Sequence, residues 1–183
     1  MLIGIMGKMG AGKTLSASIL ASYLSRATGA PLYANYALRG ATRMKTMQDI
    51  FGLNSAILVF DEMWLTMDSR QWKDNVFLTR WINQTRKKKM IVFYTTQHIR
   101  QIEMRARNAT DILIYCENTG DGHWLQFIDW QYRELGRKYL LQHPKRFYPL
   151  YDTFEVLEPL KTSNRGHYRL KGGPEASDYG DPF

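Results

Sequence analysis

The chain opens on a short apolar run, Leu2-Ile3-Gly4-Ile5-Met6, and breaks at once into glycines and a lysine. From about Lys13 to Arg26 the pattern turns helical, ending near Thr28-Gly29 with Gly29 as a C-cap. Pro31 to Tyr36 reads as a second strand, with proline allowed only at its start. The stretch from Leu38 to Gln48 reads as a connection plus a short helix, and 49–54 leads into the next strand. Ala56-Ile57-Leu58-Val59-Phe60 is continuously apolar and partly β-branched, the pattern of a parallel strand buried on both faces. A helical segment follows, capped at Asp68-Ser69 and running through Val76, Phe77, Arg80, Trp81 and Ile82 to Lys89, with Phe77 and Trp81 expected in the core. Met90 to Thr95 and Asp111 to Cys116 repeat the buried-strand pattern, with a short helix expected over Ile99 to Arg107 between them. Strands alternating with helices predict an α/β fold with a mainly parallel sheet.

The pattern changes after Cys116. Asn118-Thr119-Gly120-Asp121-Gly122 is a turn signal, and Trp124 to Trp130 returns as an aromatic strand. A hairpin extending the sheet antiparallel at one edge is expected. Gly136 to Tyr151 is mixed, with Pro144 and Pro149 opposing a long helix. From Lys161 onward polar residues, glycine and proline dominate, so residues 1–160 are expected to form one domain and 161–183 a flexible tail.

The 183 residues suffice for one domain with a full core. No apolar run approaches the ~20 residues that span a bilayer. The N-terminus runs from a strand straight into the glycine loop and does not read as a signal peptide. The lone Cys116 excludes an internal disulfide, and the four histidines (98, 123, 143, 167) lack ligand spacing, which makes the cytoplasm the default compartment. A net charge of +8 favours a polyanionic partner such as nucleic acid.

Gly7-Lys8-Met9-Gly10-Ala11-Gly12-Lys13-Thr14 fits the phosphate-loop spacing G-x-x-x-x-G-K-[ST] in the strand–loop–helix context it requires. Residues Gly7 to Leu15 are the candidate nucleotide-binding stretch. Glycines let backbone N–H groups turn inward on phosphate oxygens, and the helix that follows aims its positive end at them. Lys13 is placed to reach the β- and γ-phosphates of ATP, and Thr14 to hold Mg²⁺. The apolar strand ending in Asp61-Glu62 supplies a second Mg²⁺ contact at Asp61 and a candidate water-activating carboxylate at Glu62. Two adjacent acids favour hydrolysis over phosphate transfer. They also suggest the class with an extra strand between the loop strand and the acidic strand, its tip here carrying Thr95-Thr96-Gln97. A Gln amide both donates and accepts, so Gln97 is the candidate sensor of the γ-phosphate.

These segments together resemble the FtsK/HerA superfamily of P-loop ATPases (the ASCE type, after the added strand and catalytic acid), which includes DNA-pumping motors and viral genome-packaging ATPases. Gln97-His98-Ile99, Arg105, Arg107, Asp111 to Tyr115 and Tyr151-Asp152-Thr153-Phe154-Glu155 are also similar to the zonula occludens toxin-like ATPases of filamentous phages. The similarity covers about residues 1–155. Those phage proteins usually carry a membrane span after the ATPase domain; its absence here favours the packaging type. The resemblance implies an ATP- and Mg²⁺-dependent motor that drives double-stranded DNA, without reading its sequence, into a preformed capsid. It implies a homo-oligomeric ring, pentamer or hexamer, seated on a capsid vertex or a virion membrane protein, in the host cytoplasm or at the packaging vertex of the virion. A neighbouring subunit would supply an arginine finger, with Arg80, Arg86, Arg105 and Arg107 as candidates and the last two preferred.

Candidate DNA contacts are Arg86-Lys87-Lys88-Lys89, Arg100, Arg133, Arg137, Lys138, Lys145 and Arg146. The 86–89 run also suits a helix end, and both roles stay open. Trp124, Phe127, Trp130 and Tyr132 suit either base stacking or packing of the hairpin. Two other classes remain alongside packaging: an assembly ATPase that extrudes filamentous phage, and a small-molecule kinase.

Overall fold

A computed structural model describes residues 1–46, 48–63, 81–82, 84–152, 155, 157 and 160. Expectations for Asp68-Ser69, Val76, Phe77, Arg80, Thr153, Phe154 and the tail 161–183 lie outside them.

Among the described residues, eight strands form a single sheet. In chain order they are β1 (Leu2–Met6), β2 (Leu32–Ala34), β3 (Thr42–Arg43), β4 (Ile57–Phe60), β5 (Ile91–Thr96), β6 (Ile112–Asn118), β7 (Gly122–Asp129) and β8 (Glu134–Gln142). Their spatial order is β3-β2-β4-β5-β1-β6-β7-β8. The first six are parallel, and β7 and β8 run antiparallel at the edge. The fold is therefore a P-loop NTPase fold with the expected hairpin extension. The extra strand is present: β5 lies between β1 and β4, pairing Met6 with Thr96 and Phe60 with Tyr94.

Helix α1 (Lys13–Thr28) packs on one face of the sheet and ends on left-handed Gly29, whose N–H donates to the Ser25 carbonyl. Ile5, Ala17, Ala21, Val59, Phe93 and Leu125 form the core on this side. On the other face Leu58, Phe60, Val92 and Tyr94 meet Trp81, Ile82, Ile102 and Ala106. Trp81 is a core residue, as expected, meeting Phe60 edge to face at 6.2 Å between centroids. Tyr94 explains a glycine inside a strand: a Cβ on Gly4 would stand 2.5 Å from its hydroxyl. That hydroxyl pairs with Thr110 Oγ1 at 2.8 Å.

Three elements depart from the expected pattern. The short helix α2 occupies Gln48–Phe51, downstream of the expected stretch, while 42–43 add a parallel edge strand. Two carboxylate-accepted bonds hold its start, from the Lys45 and Thr46 N–H groups to Asp49 Oδ2. The stretch expected as one helix over 99–107 is split into a 3₁₀ turn, Ile99–Gln101, and α3, Met104–Ala109. Each piece has its own cap, His98 for the first and Glu103 for the second, with Ile102 extended between them. Finally, Glu134–Gln142, which overlaps the stretch of mixed pattern, is the full strand β8. Most of it is exposed on both faces, so it lacks the polar–apolar alternation that marks a half-buried strand.

Among the described residues, no helix is long and apolar enough to cross a membrane.

Candidate active site

The loop from Gly7 to Gly12 leaves β1 at the carboxyl edge of the sheet, where ligands bind in open α/β folds. Gly12 has φ 85° and forms the N-cap of α1 without any side-chain cap, and the first turn carries no acidic residue. The first-turn amides of α1 are thus left to an outside acceptor, and the dipole favours an anion there. Lys13 Nζ donates to the Lys8 carbonyl at 3.1 Å, arching over the loop.

Asp61 stands at the end of β4 and is held from every side. Thr14 Oγ1 donates to its two carboxylate oxygens at 2.9 and 3.0 Å, and Thr95 Oγ1 donates to Oδ1 at 2.5 Å. Its backbone is clamped by Asn35, whose Nδ2 donates to the Asp61 carbonyl at 3.0 Å and whose Oδ1 accepts from the Asp61 N–H at 2.8 Å. Burial raises the Asp61 carboxyl above its ordinary value, opposed by the Thr95 and Thr14 hydroxyls and by Lys13. Glu62 follows in a left-handed conformation, φ 48°, its N–H donating to Thr95 Oγ1 at 2.8 Å. A non-glycine residue at positive φ is a sparsely populated state kept only where surroundings over-determine it. The effect is to turn the Glu62 side chain into the cleft. Burial, then the neighbouring Asp61 charge, raises its carboxyl, with Lys13 opposing. A raised carboxyl suits a general base working near neutral pH.

The cleft encloses about 630 Å³. Met9, Gly10, Gly12, Lys13, Thr14 and Leu15 line it from the loop side, and Asp61 and Glu62 from β4. Of the other expected loop residues, Gly7 lies beneath the Cys116 carbonyl, Ala11 is buried and Lys8 is exposed with its carbonyl engaged. Thr14 and Asp61 offer hydroxyl and carboxylate oxygens at the loop. That is the hard-donor set Mg²⁺ takes alongside phosphates and water.

Gln97, Arg105 and Arg107 are not among the residues lining their own chain's cleft. Gln97 follows Thr96, the register partner of Met6, so it leaves the sheet beside the loop and is exposed. Arg105 and Arg107 lie on α3, which leads to the opposite end of the sheet, where the Arg107 carbonyl accepts from Trp130 Nε1. Arg86 is also at that end, paired with Asp111, which in turn accepts from the Leu2 N–H at 2.8 Å. In the 86–89 run, Lys88 Nζ donates to the Phe51 carbonyl and Lys89 takes φ 52°, so part of the run closes the turn into β5.

Some of the site's residues carry no sequence signal. Asn35, following β2, gains its role only through strand pairing, and Thr95, expected only as part of the polar tip of β5, gains its bond to Asp61 the same way. Asn118 and His123 face each other across the β6–β7 turn and both touch the phosphate loop. Asn118 Nδ2 donates to the Gly10 carbonyl at 3.3 Å. The His123 ring lies 2.8 Å from where a Cβ on Gly12 would stand. His123 is 5% exposed, its Nδ1 has no hydrogen-bond partner, and burial lowers its pKa against an opposing Ala11 backbone contact. Tyr148, Tyr151, Glu155 and Leu157 close the cleft from the C-terminal side. Glu155 is anchored by the Ala37 N–H at 2.6 Å and by Arg43.

The family model for the ATPase family associated with various cellular activities (AAA) matches residues 3–118, which carry the loop, the acidic strand, β5 and β6. The chain belongs to this ATPase family. It is a P-loop ATPase that binds ATP. Its fold is similar to the N-terminal domain of zonular occludens toxin from Neisseria meningitidis, with TM-score 0.59 and 16% identity over 82% of this chain and 98% of that one. It is also similar to B204, the DNA-packaging ATPase of Sulfolobus Turreted Icosahedral Virus, with TM-score 0.56 and 11% identity over 74% and 95%. The genome packaging NTPase B204 of Sulfolobus turreted icosahedral virus 2, in complex with ATP-gammaS, gives TM-score 0.53 and 10% identity over 74% and 95%. No curated protein sequence matches the ATPase.

Proposed function

We propose that the ATPase is a DNA-translocating motor of the FtsK/HerA type that packages viral double-stranded DNA into a preformed capsid. The observation that carries this reading is the join between the nucleotide site and the β7–β8 ribbon. Arg133, Arg137 and Lys138 are exposed on the ribbon, with Lys145 and Arg146 exposed just beyond it. The ribbon that presents them is the one whose His123 packs against the phosphate loop. A polyanion held on the ribbon would therefore bear on the nucleotide site through a direct contact. Cations on an irregular, exposed strand suit phosphate contacts, which position a duplex without reading it.

In this reading the loop amides and Lys13 hold the triphosphate. Thr14 and Asp61 would hold Mg²⁺, which would supply charge neutralisation at the bound phosphates. Glu62 accepts a proton from the attacking water, and Gln97 contacts the γ-phosphate once a neighbour closes the site. Arg105 or Arg107 reaches the cleft of the adjacent subunit in a homo-oligomeric ring of five or six, consistent with their distance from their own. The motor works in the host cytoplasm and docks at a capsid vertex or a virion membrane protein.

The fold similarity to the zonular occludens toxin domain spans 98% of that domain. It keeps a second reading open, an ATPase that assembles and extrudes filamentous phage. Steady-state ATP hydrolysis with and without linear duplex DNA at low salt separates the two. The packaging motor is stimulated by duplex and its DNA binding weakens steeply with salt. An unstimulated ATPase that does not bind duplex removes the packaging reading.

A further inference from the structure

The phosphate cleft does not end at the loop. A second cavity of about 440 Å³ continues from it, sharing Asn118, His123 and Tyr148 with the cleft and reaching His143 and Pro144. The strand order fixes which end of a nucleotide meets which wall. The reacting end lies at Asp61 and Glu62 on β4, to one side of β1. The second cavity lies on the β6–β7 side, across β1 from the acids. A triphosphate with its γ end at Glu62 therefore directs its nucleoside toward Asn118, His123 and Tyr148.

Tyr148 stands where the two spaces meet. It sits in the 3₁₀ segment Pro144–Leu150, a strap that leaves the end of β8 and crosses to the β2 side. The strap is fixed at its far end: the Arg39 N–H donates to the Leu150 carbonyl at 2.8 Å, and Leu38 bridges to Tyr151. Tyr151 meets Tyr36 edge to face at 6.0 Å. Tyr148 remains 45% exposed in the cavity wall. An aromatic ring on an anchored support, facing a space that continues from a phosphate site, matches a base-stacking platform. Stacking on an aromatic ring is strongest for the larger π-face of a purine.

We propose that the strap is the base-binding wall of the ATPase and that Tyr148 stacks on the purine of the bound nucleotide, giving preference for purine over pyrimidine triphosphates. This rests on the P-loop reading of Gly7 to Leu15.

Binding is measured by calorimetry for ATP, UTP and inorganic tripolyphosphate, the last a probe of the phosphate loop alone. Tyr148→Ala weakens ATP roughly tenfold or more, from the usual cost of removing a base–aromatic stack, and leaves tripolyphosphate unchanged. The preference for ATP over UTP shrinks with it. Tyr148→Phe keeps the ATP affinity. Tyr148→Leu, which retains apolar bulk without a π-face, behaves like alanine and covers the case in which alanine destabilises the strap. Equal weakening of ATP and tripolyphosphate would overturn the proposal, since Tyr148 would then shape the loop. Unchanged ATP binding in the alanine or leucine variant would also overturn it. If the wild-type chain binds neither ATP nor tripolyphosphate, the phosphate-loop reading fails and the base wall falls with it. Tripolyphosphate binding that survives every Tyr148 variant without an ATP-specific weakening removes the base wall alone.

Discussion

The two halves of the sheet are built on opposite terms. From β2 to β1 every strand is parallel and largely buried, with only the two-residue edge strand β3 exposed, and the polar atoms of the site are bonded to one another. Asp61 alone takes Thr14, Thr95 and both ends of the Asn35 amide. The β7–β8 turn and most of β8 are exposed, whereas β7 itself is mostly buried or half-buried. Leu135 and Tyr132 are 78% and 77% accessible, and cations lie over aromatic rings, Arg133 at 3.6 Å from the Trp130 centroid and Lys138 at 4.8 Å from that of Trp124. The first half holds the Asp61–Glu62 pair in a hydrogen-bonded frame, where electrostatics act strongly on a reacting phosphate. The second presents solvated charge, which in the proposed function would hold and release a long polyanion. His123 and Asn118 are where the halves touch.

The sharpest way to test the division is to disable chemistry without touching the ribbon. Glu62→Gln should lower steady-state hydrolysis by about 10²–10⁴-fold, the usual contribution of a positioned base. ATP affinity should stay near wild type. A Gln variant that hydrolyses at the wild-type rate would remove Glu62 from the reaction.

Asn35→Ala attacks the frame. It leaves the buried Asp61 N–H and carbonyl without partners, at about 1–3 kcal/mol for an unsatisfied group, which urea unfolding should report as a lower midpoint. If the midpoint holds, the clamp is not what fixes Asp61.

On the ribbon, Arg137→Ala or Lys138→Ala should leave ATP binding in place while weakening duplex binding. Removing one cation that pairs with a DNA phosphate should reduce the salt slope of log affinity by about 1. A variant that weakens ATP binding as much as DNA binding would erase the distinction between the halves.

The mildest effect is on pH. Burial raises the carboxyls of Asp61 and Glu62, so between the unfolded and folded values the folded chain holds more protons than the unfolded one. Their contribution to stability is therefore full below the ordinary carboxylate range and is lost as pH rises through the folded values. Asp61→Asn should melt higher than wild type at neutral pH without nucleotide, and the gap should close in acid. A gap that is constant with pH would mean that Asp61 carries no such penalty.

The first half is legible in the sequence because its signals are local. The loop spacing, the helix behind it, and an apolar run ending in Asp61-Glu62 are each read from one continuous stretch of chain. Even the strand β5 between the loop and the acids follows from the acidic pair. What stays hidden depends on residues distant in the chain. Asn35 meets Asp61 across 26 positions, Asn118 meets Gly10 across 108, and His123 lies against Gly12. The tip of β5 reads as polar, yet Thr95 and not Gln97 makes the contacts there within one chain. Strand β8 shows no alternation because water reaches both its faces. The histidine spacing gives no hint of His123, whose place is set by strand register.

The most direct test of the account is whether the nucleotide and the polyanion sense each other. Duplex DNA affinity of the Glu62→Gln chain should be measured at one low salt concentration, first saturated with ATP and then with ADP. Coupling through the His123 and Asn118 contacts predicts that the two affinities differ by about fivefold or more, the lower end of typical coupling between sites. Equal affinities in the two nucleotide states would contradict it.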